Sequence, residues 1–578
     1  MNGGAIIAAV LARHGVSELF ALCGGHISPI LIGAEREGIR VVDVRDEKSA
    51  VFAADAVARL SGVPGIAAVT AGPGLTNTIT AVKNAQLAQS PLIVFGGATA
   101  TILRGRGSLQ DIDQMSLMNP HVKWATSVSS VHDLVTVVER AFRIAREGVP
   151  GPVFIEVPVD LLYDEETVRG WYFKETGVDR AKDVGSRVLK LYLERHLNKV
   201  FKTGPGPEDN PVLSVRALDP DHEALEPVLA ALSTASKPVL VVGSQATLEP
   251  DEIETLCTAI RKLGLPTYLG GMARGLLGVD DPLQLRHKRG KALKEADLVI
   301  VAGFPFDFRL GYGRAINKKA TLISANRSAS DLKKNRRPDL GFRCDPGRFL
   351  RALAERFSSS PQTWAPWFNT LRDRESIRDH EIEAMARTDG EFVNPVFAVQ
   401  QLEEAMNDDA IMVVDGGDFV ATAAYVVKPR APLSWLDPGV FGTLGVGGGF
   451  ALGAALRNPG REVWLIWGDG SSAYSLAEFD TFLRHNLPVI AVVGTDASWA
   501  QIAREQVEML GSACGTELRR TAYHTVAEGY GGKGILVEKT SELQPALKQA
   551  KTWFNEGFPV LINIQLSTSD FRKGSISM

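Results

Sequence analysis

The residue most suited to chemistry in this 578-residue chain is an aspartate between two glycines, in the stretch WLIWGDGSSAYS. Four bulky apolar residues before it are typical of a buried parallel strand, and ligands collect beyond the carboxyl ends of such strands. Gly468 and Gly470 let the backbone approach a ligand, and Ser471 adds a hydroxyl and an amide at a helix start. That start attracts phosphate whereas Asp469 repels it, and Mg²⁺ between them satisfies both. The stretch predicts a metal–diphosphate anchor.

Gly-Asp-Gly by itself is also an ordinary turn, so the interpretation depends on the segment after it. A helical stretch and a second apolar run, PVIAVVGTDASW, lead to Thr495–Ala497, which lie 26 to 28 positions after Asp469. Adjacent parallel strands deliver their carboxyl ends to one crevice. A side-chain oxygen of Thr495 and the backbone carbonyl of Ala497 are therefore the expected further ligands of the metal.

The elements that position these residues follow one rhythm along the chain. Short Val/Ile/Leu runs such as GIAAVTAG, PLIVFGGA and KPVLVVGS alternate with longer helical patterns. Apolar strands without polar alternation, separated by helices, indicate parallel sheets covered on both faces. Two seams, 166–210 and 357–367, interrupt the rhythm. The sequence predicts an α/β protein with three doubly wound parallel-sheet domains at 1–165, 211–356 and 368–578.

The composition excludes several classes of protein. A formal net charge of -4 provides no basic field for nucleic acid. The four cysteines are far apart and form no CxxC pair, which argues against a disulfide framework and a zinc site. No run of about 18 apolar residues occurs, so stable membrane insertion is not expected. A cytoplasmic protein with small-molecule partners is favoured.

Two patterns leave alternatives open. The segment 186–201, SRVLKLYLERHLNKVF, places Leu189, Leu193, Leu197 and Val200 on one helix face. It is interpreted either as a helix packed on its own domain or as one that lies on a membrane surface. The outer two domains also share the order of a helix, a polar-Pro step and a buried strand, which is compatible with duplication and with ordinary α/β similarity.

The anchor and the strand after it resemble the cofactor motif of thiamine diphosphate enzymes, in which GDG is followed by an asparagine pair. Thr495 stands where an asparagine ligand would be. The resemblance covers nearly the whole chain and is closest to the 2-hydroxyacyl-CoA lyases of the acetolactate-synthase-like form, through GGHISPI, AVTAGPGLTNT, GGMARGLLG, VVDGGDF and FGTLGVG. It implies thiamine diphosphate and Mg²⁺ as cofactors. It also implies pyrimidine-binding, central Rossmann-like and diphosphate-binding domains.

The resemblance implies roles for four residues of the first domain. Glu47, which opens an Ala-rich helix, is expected to hydrogen-bond the cofactor's aminopyrimidine ring and so to activate it. Without the resemblance, Glu47 would be a first-turn residue that favours the helix dipole. Asn77 helps to shape the cofactor crevice, and Gln110 in SLQDIDQ reaches the active site. His26 is expected to contact the substrate hydroxyl, with a packed neutral histidine as the alternative.

Further roles fall in the last domain. Leu444 in FGTLGVG is expected to wedge between the two rings of the cofactor, and the Gly442 carbonyl to accept from its amine. A glycine-rich helix packed closely on a sheet is a compatible interpretation of the same stretch. Asp418 and Phe419 are expected to flank the diphosphate. Trp499 is expected to wall the substrate pocket.

The middle domain resembles the family's nucleotide-binding module, which holds ADP in the CoA-dependent branch and FAD in acetolactate synthases. The positions that match it are Gly243, Arg309, Asn326 and Arg327. Asn326 stands where the family usually has an aspartate for the ribose, and structural salt bridges are the alternative for both arginines. In the tail SDFRKGSISM, Arg572 and Lys573 are expected to meet CoA phosphates as part of a closing lid.

The reaction implied by the resemblance is the reversible cleavage of a 2-hydroxyacyl-CoA to an aldehyde or ketone and formyl-CoA. Two alternatives remain: an acetolactate synthase that joins two pyruvates and carries FAD, and a catalytically silent regulatory subunit that keeps the fold. Members of the family pair head to tail, so a homodimer or homotetramer is expected.

Overall fold

A computed structural model describes residues 2–178, 183–209, 211–358 and 362–573. Within these ranges the strands form three six-stranded sheets, and every pairing between strands is parallel. The predicted fold class, an α/β protein with three parallel-sheet domains, is confirmed. The predicted bounds of the domains and linkers stay predictions.

The first sheet has apolar, buried central strands and less buried edge strands. Its strands are β1 (Glu18–Ala21), β2 (Arg40–Asp43), β3 (Gly65–Val69), β4 (Leu92–Ala98), β5 (Trp124–Ser127) and β6 (Pro152–Pro158). They are arranged in the order β2-β1-β3-β4-β6-β5. Every residue of β3, β4 and β6 is buried, as continuous apolar runs between two helical layers require.

The helices that cover the first sheet include a long Ala-rich one that is buried along most of its length. They are α1 (Gly3–Arg13), α2 (Ser28–Arg36), α3 (Glu47–Ser61), α4 (Pro73–Thr76), α5 (Ile79–Ala88), α6 (Gln114–Met118), α7 (Leu134–Arg146), α8 (Val159–Leu162), α9 (Glu165–Thr176) and α10 (Val184–Val200). Small alanine side chains let α3 approach the sheet closely.

The second sheet has the strand order of a Rossmann fold. Its strands are β7 (Pro238–Val242), β8 (Thr267–Leu269), β9 (Gln284–Leu285), β10 (Leu298–Ala302), β11 (Thr321–Ala325) and β12 (Leu340–Phe342), in the order β12-β11-β10-β7-β8-β9. The accompanying helices are α11 (Glu226–Thr234), α12 (Ile253–Leu263), α13 (Arg289–Glu295), α14 (Pro346–Arg356) and α15 (Ala365–Ala386).

The third sheet repeats the connectivity of the first. Its strands are β13 (Ile411–Asp415), β14 (Trp435–Leu436), β15 (Val463–Gly468), β16 (Ile490–Thr495), β17 (Lys533–Val537) and β18 (Val560–Gln565), in the order β14-β13-β15-β16-β18-β17. Numbered from the first strand of each sheet, both orders read 2-1-3-4-6-5. The shared strand order supports the interpretation that the outer two domains are structural duplicates.

The helices that accompany the third sheet include several that begin at or near the motifs predicted to bind the cofactor. They are α16 (Pro395–Ala405), α17 (Asp418–Val426), α18 (Gly447–Arg457), α19 (Asp469–Ser472), α20 (Glu478–Arg484), α21 (Ala500–Leu510), α22 (Tyr523–Gly529) and α23 (Thr540–Asn555). None of the helices in the described ranges combines the length and apolar character needed to cross a bilayer.

The internal contacts divide the chain into two compact units, Met1–Arg59 with Val63–Val215, and Leu60–Gly62 with Arg216–Met578. The first sheet lies in the first unit, and the second and third sheets lie in the second. The predicted amphipathic helix is α10. On its predicted apolar face Leu193, Leu197 and Val200 are buried, whereas Leu189 is exposed. The burial of these three supports the interpretation that the face packs on its own domain.

Candidate active site

The predicted metal anchor is an aspartate held at the carboxyl end of β15. Asp469 is buried, its Oδ1 accepts from the Gly470 amide at 2.8 Å, and its Oδ2 accepts from the Ala497 amide at 2.8 Å. Burial nevertheless raises the pKa of Asp469 to about 6. A Cβ on Gly470 would come within 2.5 Å of the Trp499 ring, so glycine is required for that ring to lie against the anchor.

A second carboxylate, Asp496, lies between the two residues predicted to complete the metal site. Burial, together with the negative charge of Asp469, raises the pKa of Asp496 to about 7. Two carboxylates coupled in this way resist ionising together, and a divalent cation removes that penalty. Asp496 was not predicted from the sequence, although a second acid 27 positions after Asp469 was the available signal.

The predicted ligand groups on either side of Asp496 are engaged elsewhere. The Thr495 hydroxyl donates to Asn563 Oδ1 at 2.6 Å, in the buried sheet. The Ala497 carbonyl accepts from the Leu518 amide at 2.8 Å. Each oxygen thus has one hydrogen-bond partner within the chain, and Thr495 and Ala497 as metal ligands stay predictions.

The hydroxyl of Ser471, two residues after Asp469, also forms its hydrogen bonds within the protein. Ser471 donates to the Asp415 carbonyl at 2.6 Å and to the Gly468 carbonyl at 3.0 Å. The serine thereby links the end of β13 to the end of β15. Its amide, not its hydroxyl, is then the group left to meet a diphosphate at the start of α19.

A third buried aspartate, Asp415 at the end of β13, braces the next predicted loop. Its Oδ2 accepts from the Gly447 amide at 2.8 Å, and both oxygens accept from the Gly445 amide at 3.1 Å. Trp467 Nε1 donates to the same carboxylate at 3.3 Å. Burial raises the pKa of Asp415 to about 7, against the effect of these donors. This role of Asp415 was not predicted from the sequence.

The turn that Asp415 braces carries the two residues predicted to meet the cofactor rings. Gly442 has φ of +63°, a left-handed conformation that favours glycine, and the side chain of Leu444 is half-buried. A Cβ on Gly447 would lie 2.1 Å from Trp467 Nε1, so α18 also packs closely on the sheet. The compatible interpretation of this stretch, close helix–sheet packing, therefore describes it correctly.

The predicted diphosphate neighbours begin α17. Asp418 forms an ion pair with Arg504, with its Oδ1 2.5 Å from the guanidinium. The Phe419 ring is buried, and a Cβ on Gly494 would lie 2.5 Å from it. The Phe419 side chain is thus part of the core, and any contact it makes with a diphosphate comes from its backbone.

In the first unit, the structure brings together two residues that were singled out separately, Glu47 and Asn77. Glu47 opens α3 and is buried, and its Oε2 accepts from Asn77 Nδ2 at 3.0 Å. A Cβ on Gly74 would lie 3.3 Å from Glu47 Oε1, so the loop before α5 closes over the carboxylate. The geometry leaves Oε1 as the oxygen that can exchange a proton with a ligand.

His26 and Gln110 lie in loops that contact the same segments of the first unit. His26 Nδ1 is 3.1 Å from Thr70 Oγ1, and a Cβ on Gly97 would lie 2.5 Å from His26 Cβ. Burial lowers the pKa of His26, which keeps the ring neutral. Gln110 is half-buried with φ of +64°, and its carbonyl lies 2.9 Å from where a Cβ on Gly72 would be.

Gln114 ties these loops together and was not predicted from the sequence. Its buried side chain accepts from the Gly72 amide at 3.0 Å and donates to the Gly97 carbonyl at 3.1 Å and to Glu156 Oε1 at 3.0 Å. Glu156 also accepts from Arg104 at 2.8 Å. These residues lie at a cavity of about 330 Å³ that Gln110 also lines.

The segment that carries Gln110 is anchored at its start. Buried Asp160 accepts from the Thr101 amide at 3.0 Å, from the Thr101 hydroxyl at 2.5 Å and from the Tyr172 hydroxyl at 2.7 Å. His196 Nε2 of α10 is 2.8 Å from the Thr101 hydroxyl. Helices α9 and α10 therefore hold one end of the segment.

The arginines predicted to bind a nucleotide in the central domain are in ion pairs. Arg327 contacts Asp345 at 2.5 Å. Arg309 contacts Asp307 at 2.6 Å and lies over the Phe304 ring at 4.5 Å. The salt-bridge alternative therefore describes both side chains.

The other two predicted nucleotide positions are enclosed by the fold. A Cβ on Gly243 would lie 2.4 Å from the Gly303 carbonyl, so glycine there permits the ends of β7 and β10 to approach. Asn326 is 1% exposed, and its Oδ1 accepts from the Ser328 amide at 2.8 Å. At that exposure the Asn326 side chain offers a ribose little access.

A larger cavity, of about 610 Å³, lies in the second unit and is rich in basic residues, of which Arg309, His287 and Arg378 pair with carboxylates outside its lining. Among the described residues that line it none is acidic, and the basic ones are Arg274, Arg286, His287, Lys288, Arg289, Arg309 and Arg378. Arg274 and Arg286 donate to backbone carbonyls near the end of α17, and Arg289 donates to the Arg309 carbonyl at 2.7 Å. Burial lowers the pKa of all three.

The end of the described chain packs beside this cavity. The Phe571 ring meets the Tyr425 ring edge-on at 6.4 Å, and Arg378 lies over Phe571 at 5.5 Å. Arg572 lies over Tyr425 at 4.8 Å, whereas Lys573 is exposed. Tyr425 and Arg378 both line the cavity, so the predicted lid residues lie at its edge.

Three domain families match the chain in sequence. The N-terminal TPP binding domain of thiamine pyrophosphate enzymes matches residues 1–117, the central domain matches 225–353, and the C-terminal TPP binding domain matches 415–564. The chain is 48% identical over its full length to 2-hydroxyacyl-CoA lyase 2 of Danio rerio, of which it covers 93%.

The chain belongs to the thiamine pyrophosphate enzyme family. It is also 47% identical to 2-hydroxyacyl-CoA lyase 2 of Homo sapiens over 100% of this chain and 92% of that protein. A protein of Mycobacterium bovis described as a probable acetolactate synthase is 33% identical over 98% of this chain and 95% of its own length. The resemblance inferred from the sequence motifs is confirmed.

The residues of this thiamine pyrophosphate enzyme fit the cofactor that its family name implies. Two coupled carboxylates, Asp469 and Asp496, carry raised pKa values that a divalent cation would relieve. A Cβ on Gly442 would meet nothing within 4 Å, so the backbone is open at that predicted contact loop. Glu47 supplies a buried carboxylate with one oxygen held by Asn77.

Replacing Asp415 tests the bracing of the Leu444 turn. Asp415→Asn leaves a single oxygen to accept from Gly445, Gly447 and Trp467, and it sets an amide N–H against the Gly445 amide where Oδ1 now accepts. We expect a loss of about 1–3 kcal/mol in unfolding free energy and weaker binding of thiamine diphosphate. Denaturant unfolding and a cofactor titration measure the two effects. Normal stability and affinity in Asp415→Asn would contradict the bracing role.

Proposed function

We propose that this chain is a thiamine diphosphate- and Mg²⁺-dependent lyase that cleaves a 2-hydroxyacyl-CoA to an aldehyde or ketone and formyl-CoA. The observation that carries the substrate class is the cationic cavity, in which Arg274, Arg286 and Arg289 donate to backbone carbonyls, with the Phe571–Arg572 segment at its edge. Arginines that donate to carbonyls rather than to carboxylates suit phosphate groups, of which coenzyme A has three. The lyase names of the relatives support the same substrate class.

In this proposal Asp469 and Asp496 hold Mg²⁺, and the Ser471 amide meets the diphosphate. Asp496 takes the place that the motif spacing gave to Thr495 and Ala497. The register of the third sheet supports the choice, because Gly468 of β15 pairs with Gly494 of β16 and both acids follow those residues closely. The metal thereby relieves the mutual repulsion of the two carboxylates.

The bound cofactor supplies the stabilised carbanion that carbon–carbon cleavage needs. Glu47 exchanges a proton at Oε1 with the aminopyrimidine ring, since Oε2 accepts from Asn77. Leu444 would contact the cofactor rings, and the Gly442 carbonyl would accept from the ring amine. Trp499 limits the substrate space beside Gly470.

Neutral His26 is suited to accept the proton of the substrate hydroxyl, because burial lowers its pKa. Gln110 donates a hydrogen bond in the same region, and Gln114 is a positioning residue for both loops. Glu47 lies in the first unit and Asp469 in the second. We propose that two copies of the chain pair head to tail, as a homodimer or as half of a homotetramer, so that both contribute to each site.

A nucleotide in the central domain stays a prediction. The ion pairs of Arg309 and Arg327 argue against ADP at the predicted positions. Acetolactate synthase activity is a second candidate because of the 33% identical relative with that name. Such an activity would use FAD and pyruvate, and the purified protein would then be yellow.

The function is tested by supplying 2-hydroxyacyl-CoA of several chain lengths to the protein with thiamine diphosphate and Mg²⁺. We expect equal amounts of formyl-CoA and aldehyde, by chromatography of both products. Glu47→Gln should lower kcat by at least about 10²-fold with the fold intact, because the amide cannot exchange the proton. Acetolactate from pyruvate without formyl-CoA release would overturn the lyase proposal, and wild-type turnover by Glu47→Gln would overturn the proton chemistry.

The metal ligands are tested by comparing Asp496→Ala with Thr495→Val. Asp496→Ala should reduce Mg²⁺ affinity by more than the roughly 10–100-fold that loss of an outer-shell partner causes. The metal-free variant should be at least as stable as wild type, because one of two repelling charges is gone. Thr495→Val should cost stability through Asn563 but leave Mg²⁺ affinity nearly unchanged. Calorimetric Mg²⁺ titration in the presence of thiamine diphosphate separates the two, and the reverse pattern would restore Thr495 as the ligand.

The cationic cavity is tested with Arg289→Met, which retains most of the side-chain length and removes its charge. We expect KM for the acyl-CoA to rise by about 10- to 100-fold with little change in kcat, since a charged hydrogen bond contributes about 1.5–3 kcal/mol. Arg387→Met is the matched control, because Arg387 lies 75% exposed at the end of α15. An unchanged KM in Arg289→Met would remove the cavity from the substrate site.

A further inference from the structure

Helix α10 carries a second apolar row on the side opposite its buried face. The row consists of Val184, Val188 and Leu191, with Tyr192 beside it, and these side chains are between 54% and 76% exposed. The spacings of four and three residues place the first three on one side of the helix. An exposed row of large apolar side chains marks an interaction surface.

The side of α10 opposite the apolar row is packed on the domain. The helix therefore cannot bury the apolar row without losing these contacts. Leu193, Leu197 and Val200 are buried, and His196 contacts the Thr101 hydroxyl at 2.8 Å. Turning the helix to bury the outer row would expose these residues and break that contact. The outer row therefore stays directed away from the domain.

The charge of α10 restricts what can cover this row. The helix carries Arg187, Lys190, Arg195 and Lys199 against a single acid, Glu194, which gives a formal charge of +3. Arg187, Arg195 and Lys199 are exposed on the same side as the apolar row or next to it. A second copy of α10 would bring +3 against +3, so pairing of two such faces is electrostatically unfavourable.

The remaining anionic partners are an acidic peptide and an anionic lipid surface. An amphipathic peptide needs a groove, and a single outward row on one helix does not form one. A basic helix with aliphatic and aromatic side chains on its outer side matches the composition of helices that lie in the plane of a membrane interface. The long Lys and Arg side chains can extend to the headgroups while the apolar row enters the acyl boundary.

We propose that the outer face of α10, defined by Val184, Val188, Leu191 and Tyr192 with its flanking cations, docks the protein peripherally on anionic lipid. The helix lies between the segments that match the family's domains, which end at residue 117 and resume at 225. The proposal is thus independent of the proposed lyase reaction. It adds a location-determining surface to the fold without inserting the chain through a bilayer.

Vesicle sedimentation tests the proposal with the full-length protein. Wild type should sediment with vesicles that contain phosphatidylserine, bind vesicles of phosphatidylcholine alone at least about tenfold more weakly, and be released at high salt. Leu191→Glu and, separately, Arg195→Glu should each reduce binding by about tenfold or more. Ile377→Glu is the matched control, because Ile377 is a similarly exposed apolar residue on α15. It should bind as wild type does.

Three outcomes would overturn the proposal. Wild type could fail to sediment with phosphatidylserine vesicles, or Leu191→Glu and Arg195→Glu could bind as wild type does. Alternatively, a smaller oligomer for Leu191→Glu in sedimentation velocity would assign the face to a second copy. Circular dichroism and thermal unfolding confirm that each variant is folded, and Arg195→Gln provides a milder substitution if Arg195→Glu is not. Lyase assays are not needed for any of these results.

Discussion

The structure of the proposed site depends on the cost of burying two carboxylates next to each other. Parallel strands β15 and β16 run in register, with Gly468 opposite Gly494, so the residues after them emerge at one edge of the sheet. That edge holds Asp469 and Asp496, and burial raises the pKa of both. A sheet built for stability alone would not place two acids there, because removing carboxylates from water is expensive. The proposed Mg²⁺ would make the arrangement favourable.

Two buried aspartates of the third sheet differ in how fully hydrogen-bond donors of the chain compensate their charge. Asp415, at the end of β13, is surrounded by donors from Gly445, Gly447 and Trp467. Asp469 receives two amides, and its neighbour Asp496 adds a like charge. The first arrangement is complete within the chain and fixes a turn. The second has negative charge in excess of its donors, which the proposed Mg²⁺ would balance.

Much of the fold could be predicted from the sequence because its dominant signal is local: a strand covered on both faces, such as β4 or β15, is a continuous apolar run. Glu47 and Asn77 were each singled out from a motif that follows a strand, but the hydrogen bond between them was not predicted. Gln114 was not predictable, because only the packed sheet brings its partners near. The sequence also did not indicate whether Thr495 or Asp496 is the better candidate for a metal ligand. Successive side chains of a strand point to opposite faces, so a shift of one residue changes which of them meets the site.

The cationic cavity, like the pair of acids at the third sheet, holds buried charge of one sign, but there the charge is positive. Arg327 and Arg309 have carboxylate partners, so their charge is balanced within the chain. Arg274, Arg286 and Arg289 donate to backbone carbonyls, which satisfy hydrogen bonds but leave the positive charge in place, and burial lowers the pKa of each. A chain that keeps buried charge of one sign at two separate places gives up stability at both. The negative pair at the third sheet suits a cation and the positive group suits phosphates, so both departures from a stable core are explained if the protein binds a metal-anchored cofactor and a phosphorylated substrate.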